Sequence, residues 1–178
     1  MKLFLALLTT ILWSLTPMSD SKAADPENTL YIDLKDGRVV IEMFPDKAPA
    51  HVERIQTLAK DGFYDGLIFH RVIEGFMAQT GDPTGTGMSG SDLGTVKAEF
   101  NEIPFDRGVV GMARSNSPHS ANSQFFIMFD DGHFLNGQYT VWGKVTEGME
   151  FVDNIELGEP PTNPDKMIKV QLASDAKK

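Results

Sequence analysis

Cysteine is missing from this chain altogether. That one absence removes disulfide cross-links, thiol nucleophiles and thiolate metal sites together, and leaves no thiol to oxidise in an oxidising compartment. Positive charge is also scarce, with 16 Lys and Arg against 25 Asp and Glu and a net charge of -9. Such a surface repels nucleic acid phosphates and anionic lipid, so neither is expected as a partner. No apolar run reaches the roughly 20 residues of a membrane-crossing helix. The one candidate, Leu3 to Leu15, is interrupted by Thr9, Thr10 and Ser14, follows a lone Lys2, and precedes the small-x-small pattern Ser21-Lys22-Ala23. These features predict a signal peptide over residues 1–23 and a single domain over residues 24–178, exported to a periplasm or secreted and not inserted in the membrane once processed.

Catalytic signatures are sparse as well. No serine sits in a G-x-S-x-G elbow. His51, His70, His119 and His133 show no H-x-x-x-H pairing, so no metal site is expected without distant residues converging. Gly85-Thr86-Gly87-Met88-Ser89-Gly90 fits the dinucleotide fingerprint G-x-G-x-x-G. That fingerprint needs a helix leaving it to hold the pyrophosphate, and Gly94 and Pro104 interrupt anything helical downstream, so nucleotide binding is set aside.

What is present is a succession of short strands. Thr29 to Leu34 alternates apolar and polar residues, Asp36-Gly37 signals a hairpin turn, and Val39 to Phe44 returns. Pro49 at a first helical position, then Val52, Ile55, Leu58 and Ala59, with Gly62 as a stop, predict a helix of about three turns. Leu67 to Ile73 and Phe76 to Thr80 read as strands, Gly81 to Thr95 as a long loop, and Val109 to Ala113, Gln124 to Phe129 and Tyr139 to Val145 as further strands. Met149, Val152 and Ile155 mark a second short helix, and Ile168, Val170 and Leu172 a closing strand. Many strands without regular βα alternation predict a mostly β, closed or nearly closed antiparallel barrel, its ends plugged by the two helices.

The run Phe69-His70-Arg71-Val72-Ile73-Glu74-Gly75-Phe76-Met77-Ala78-Gln79-Thr80-Gly81-Asp82 mixes a permanent cation, large apolar side chains and an amide, which is the make-up of a binding surface rather than a core. A second block, Ser123-Gln124-Phe125-Phe126-Ile127, repeats the mixture, and Phe134-Leu135-Asn136-Gly137 and Val141-Trp142-Gly143-Lys144-Val145 follow. In order and spacing these segments resemble the cyclophilins, the peptidyl-prolyl cis/trans isomerases, over roughly residues 29 to 172. The stretch Arg114-Ser115-Asn116-Ser117-Pro118-His119-Ser120-Ala121 resembles the bacterial branch of that family. The resemblance implies a closed eight-stranded barrel capped by two helices, no cofactor, a monomer, and prolyl-containing polypeptides as partners, in particular exported proteins still folding.

The residues bear a chemical reading of that kind. Rotating an Xaa-Pro bond needs no nucleophile, since the barrier of about 18 to 20 kcal/mol is resonance, and at the twisted transition state the proline nitrogen gains a lone pair. Taken alone, Phe76, Met77 and Phe126 would read as core, Gln79 and Gln124 as surface or satisfied amides, and Arg71 as a solvated strand residue. The resemblance reverses this. It implies that Arg71 donates to the proline nitrogen, that Gln79 holds the substrate carbonyl, and that Phe76, Met77, Phe126 and Leu135 grip the pyrrolidine ring. It further implies that Ala113 and Ser115 flank the residue before proline, that the Arg114 backbone pairs with the substrate, and that Gln124, Phe134 and Tyr139 complete the groove. Phe125 and Ile127 should point into the barrel. His70 reads equally as a structural histidine or as a neighbour of the site. Phe134 stands where a tryptophan is common in the family, and Tyr139 where many members carry histidine. The alternative is a prolyl-peptide binding or chaperone module that keeps the groove but turns over weakly; a lectin-like barrel would want aromatics in the loops, and Gly81 to Thr95 has none.

Overall fold

The computed structural model describes residues 25–176, so the segment expected to be a signal peptide lies outside the described residues. Apolar alternation and turn chemistry produce eight strands and two helices. They are β1 (Thr29–Asp33), β2 (Arg38–Met43), α1 (Pro49–Lys60), β3 (Arg71–Ile73), β4 (Met77–Thr80), β5 (Val109–Met112), β6 (Phe125–Met128), β7 (Val141–Glu147), α2 (Met149–Asp153) and β8 (Lys169–Leu172). The strands form one antiparallel sheet in the order β3-β4-β6-β5-β7-β2-β1-β8.

The β1–β2 hairpin turns at Asp36-Gly37, with the Leu34 N–H donating to the Gly37 carbonyl. A Cβ at Gly37 would lie 2.4 Å from the Phe151 ring, so this turn carries glycine because α2 packs against it. α1 begins at Pro49 as expected, but no local side chain caps it. Its free N–H groups at Ala50 and His51 donate instead to the two oxygens of Glu99, each at 3.0 Å, and the His51 Nδ1 lies 2.6 Å from the same carboxylate. A distant acid therefore does the work of an N-cap and also meets the positive end of the helix dipole. The buried face of α1, Val52, Ile55, Leu58 and Ala59, joins Leu30, Ile32, Ile41, Phe69, Phe125, Ile127, Trp142 and Leu172 in the principal core.

Two expectations are corrected here. The sheet is open, not a closed barrel: β3 and β8 are its edges, and they share no ladder among the described residues. Segment 66–69 leaves the strand expected from Leu67 onward and makes a single bridge, Ile68 to Lys166, with the Gly66 N–H donating to Met167 and the Phe69 N–H to Asp165. Consequently β3 is only Arg71–Ile73, and the two edges are tied by these irregular segments rather than by paired strands.

Candidate functional site

Register, more than sequence proximity, builds the site. Arg71 lies directly opposite Gln79, Gln79 opposite Phe126, and Phe126 opposite Gly111, so one row crosses β3, β4, β6 and β5 on a single face. One rung along the same face come Ile73, Met77 and Met128. The period of two sends Val72, Ala78, Phe125 and Ile127 to the opposite face, into the principal core. On the outward face Met77, Phe105, Val109, Phe126, Met128, Leu135 and Val141 form a second buried apolar cluster.

Phe126 is the floor. Its ring stacks on Phe105 at 5.7 Å and meets Tyr139 edge-on at 5.8 Å. Gly111 makes this possible, because a Cβ there would lie 2.5 Å from the Phe126 ring and 2.6 Å from the Phe105 ring. Above the floor opens a cavity of about 330 Å³ lined by Arg71, Phe76, Met77, Gln79, Ala113, Arg114, Phe126, Phe134, Leu135 and Tyr139. Phe134 is 65 % exposed at the rim, its ring 5.5 Å from that of Phe76. The structure thus brings ten of the sequence-derived residues to one hollow. The other three stand beside it: Ser115 and Gln124 in an adjoining cavity of about 640 Å³ under loop 87–92, and His70 in one of about 570 Å³ beyond β3.

The polar groups are held from behind. Arg71 donates through Nε to Glu159 Oε2 at 2.7 Å, and its terminal nitrogens have no partner among the described residues. Gln79 donates to Gln124 Oε1 at 2.8 Å, and Gln124 in turn donates to the carbonyls of Gly87 and Ser89. Neither the N–H nor the carbonyl of Arg114 is bonded among the described residues, which leaves a free backbone edge along the groove. The Arg114 side chain folds back over the Tyr139 ring at 4.5 Å and donates to the Gln138 and Ser115 carbonyls. His70 is buried with both ring nitrogens unpartnered. Burial lowers its pKa against the pull of Asp82, so the imidazole is neutral at neutral pH.

Sequence reasoning passed over two features. Glu159 lies 88 residues from the arginine it holds, with no motif to flag it. The Gly85 to Gly90 loop wraps around Asp82, whose carboxylate accepts from the Thr84 N–H and hydroxyl and the Ser89 N–H. Burial would raise that carboxyl, but these donors outweigh it and hold it below its ordinary value. Within the fingerprint, the Ser89 N–H is thus spent on an acid rather than turned toward a phosphate. Among the described residues, distant metal-ligating types do converge once, at Asp106, Asp131 and His133, on the surface and outside the cavity, with the His133 Nε2 already 2.6 Å from Asp106.

Arg71 over an aromatic floor, with a free backbone edge alongside, is suited to gripping a peptide whose central ring is apolar and whose nitrogen accepts a hydrogen bond. Residues 29–173 match the family model described as cyclophilin type peptidyl-prolyl cis-trans isomerase/CLD. A probable peptidyl-prolyl cis-trans isomerase of Brucella suis is 52% identical over 180 residues, covering 92% of each chain. Peptidyl-prolyl cis-trans isomerase B of Bacillus subtilis is 43% identical over 134 residues, 74% of this chain and 92% of that one. Among solved structures, the cyclophilin AquaCyp293 of Hirschia baltica superposes with a TM-score of 0.80 at 32% identity, covering 86% of this chain and 77% of its own. A cyclophilin-type isomerase of Cryptosporidium parvum, determined in the presence of the dipeptide Ala-Pro, gives 0.75 at 29% identity, covering 81% and 98%.

Proposed function

The chain belongs to the cyclophilin-type peptidyl-prolyl cis-trans isomerases and is an enzyme of that kind; we propose that catalysis takes place in the Arg71 cavity and serves exported proteins as they fold. The observation that carries the assignment of the site is the Arg71–Gln79–Phe126–Gly111 row, which sets a guanidinium beside an apolar floor wide enough for a pyrrolidine ring.

In the planar ground state the proline nitrogen has no lone pair to offer. When the bond twists it gains one, and a terminal N–H of Arg71 donates to it, an interaction present only at the transition state and therefore one that raises turnover. Arginine remains protonated at any physiological pH and keeps a rigid donor geometry. Glu159 anchors the Nε side of the guanidinium and leaves the terminal nitrogens for the substrate. An acceleration of about 10⁵ requires roughly 7 kcal/mol, and one preorganised donor supplies about 3 to 4. The rest falls to the cavity: Phe76, Met77, Phe126 and Leu135 clasp the ring, Gln79 holds the carbonyl before or after it, and the twisted conformer is kept from water. The substrate strand runs along Ala113, Arg114 and Ser115, pairing with the free Arg114 backbone.

Residues 1–23 are read as a signal peptide that is removed, leaving a monomer in the periplasm. A short Xaa-Pro peptide followed by exchange NMR tests the function. Substoichiometric protein should broaden the cis and trans signals through accelerated exchange; binding without accelerated exchange would instead mark a prolyl-peptide binding module.

A further inference from the structure

The groove does not end at the proline cavity. Beyond β3 the hollow of about 570 Å³ is walled by His70, Arg71, Gln79, Thr86, Gly87 and Glu159 among others, and it shares Arg71 and Gln79 with the proline cavity. Its only charged lining is the Arg71–Glu159 pair. Glu159 is fixed by its neighbour: Gly158 and Val72 exchange both backbone hydrogen bonds, at 2.8 and 2.9 Å, which sets the next side chain against Arg71. One carboxylate oxygen then accepts from Arg71, while Oε1 has no partner among the described residues and the side chain is 53% exposed. Beneath it His70, only 6% exposed, also has both nitrogens unpartnered. Both residues line the same hollow.

Strand order fixes which part of a substrate arrives there. β3 with Arg71 and β5, which leads to Ala113, lie on opposite sides of the proline cavity, separated by β4 and β6. A chain whose residue before proline runs along Ala113 to Ser115 leaves over Arg71. We infer that this hollow is a subsite for the side chain immediately following the substrate proline, and that Glu159 makes it select a basic one. The inference rests on the isomerase reading of the proline cavity.

A lysine or arginine brings an apolar stem for the walls and N–H donors for Glu159 Oε1. An acidic side chain is disfavoured twice. It is repelled by Glu159, and it competes for the Arg71 guanidinium, drawing the catalytic donor away from the proline nitrogen. Alanine is indifferent. Because the pair is half exposed, the effect of each charge is modest, about two- to five-fold in kcat/KM.

Three peptides that differ only in the residue after proline, Lys, Ala or Glu, decide it when kcat/KM is measured by exchange NMR at low salt. The wild-type order should be Lys, then Ala, then Glu, with a Lys-over-Glu ratio of about five to ten that narrows as salt is added. Glu159→Gln should bring the Lys-over-Ala ratio to near one, and Glu159→Lys should take it below one, with melting curves confirming folded protein in both. A wild-type Lys-over-Ala ratio near one, or a Lys-over-Ala preference that persists in Glu159→Gln, overturns the subsite while turnover of the Ala peptide leaves the isomerase reading standing. Failure to turn over any of the three peptides removes that reading, and the subsite with it.

Discussion

Arg71 is grasped at one nitrogen and open at two others, and its neighbours show the same division between anchoring and use. The buried histidines make that division visible in pH. Burial lowers the pKa of His51 and of His70 below the ordinary 6.5, in spite of the carboxylates of Glu99 and Asp82 nearby. Between pH 6.5 and those lower folded values the unfolded chain binds protons that the folded chain refuses, so stability is full above about pH 6.5 and declines as pH falls. Glu99 extends the decline. Burial alone would raise its carboxyl, yet the His51 ring and the N–H groups of Ala50 and His51 hold it below 4.5, a contribution lost as pH drops through the folded value. His133 has the opposite sign, raised by Asp106, but that pair is exposed and contributes little. Thermal melts should therefore show Tm falling from pH 7 to pH 5, with a shallower slope in His51→Gln; a slope unchanged by that substitution would mean His51 is not the group that titrates. At the rim, Phe134 offers a ring but no donor where many relatives carry tryptophan. Cyclosporin, the family's cyclic peptide inhibitor, should bind this protein about 10- to 100-fold more weakly than such relatives, the equivalent of one lost hydrogen bond of about 1 to 3 kcal/mol. Phe134→Trp should tighten inhibition with little change in turnover, and equal inhibition constants would place recognition elsewhere.

At the scale of elements, the face of a strand could be read from its period, but the partner of a strand only where a tight turn joins the two, as in the β1–β2 hairpin. Pro49 and the spacing of Val52, Ile55, Leu58 and Ala59 located α1, and the alternation through Phe125, Phe126 and Ile127 separated the core side from the groove side. The remote cap from Glu99, the row linking Arg71 to Gly111, and the early break in β3 all depend on contacts distant in sequence. Gly111 shows what such a row demands. Any side chain there must displace Phe126 or Phe105, both of which are buried. Gly111→Ala should lower stability by about 1 to 3 kcal/mol through overpacking, and should lower isomerisation disproportionately because the floor of the cavity tilts. Denaturant unfolding with exchange rates on the same samples checks both; a variant that is destabilised but fully active would mean the floor is not part of the site.

Across the whole molecule, family, strand count and the composition of the groove were legible because they follow from motifs and local pattern. Closure of the barrel was not, since it depends on how the first and last edges of the sheet meet, and here they meet through the irregular segments around Ile68 and Lys166 rather than through a ladder. Glu159 was equally invisible, being brought to Arg71 by the Gly158–Val72 bridge. The proposed export adds a prediction at this scale: the processed protein should begin at Ala24, because Ser21 and Ala23 occupy the small positions before the cut. Intact mass of material from a periplasmic extract reads this directly, and a product retaining Met1 would contradict it. The central claim is that one guanidinium, anchored by Glu159 over the Phe126 floor, stabilises the twisted prolyl bond. Its most direct test is the isomerisation rate of Arg71→Ala beside wild type, with a melt of each. The account predicts a fall of about 10² to 10³ in kcat/KM with Tm nearly unchanged, since the side chain points at substrate rather than into the core; near wild-type turnover in the folded variant would contradict it.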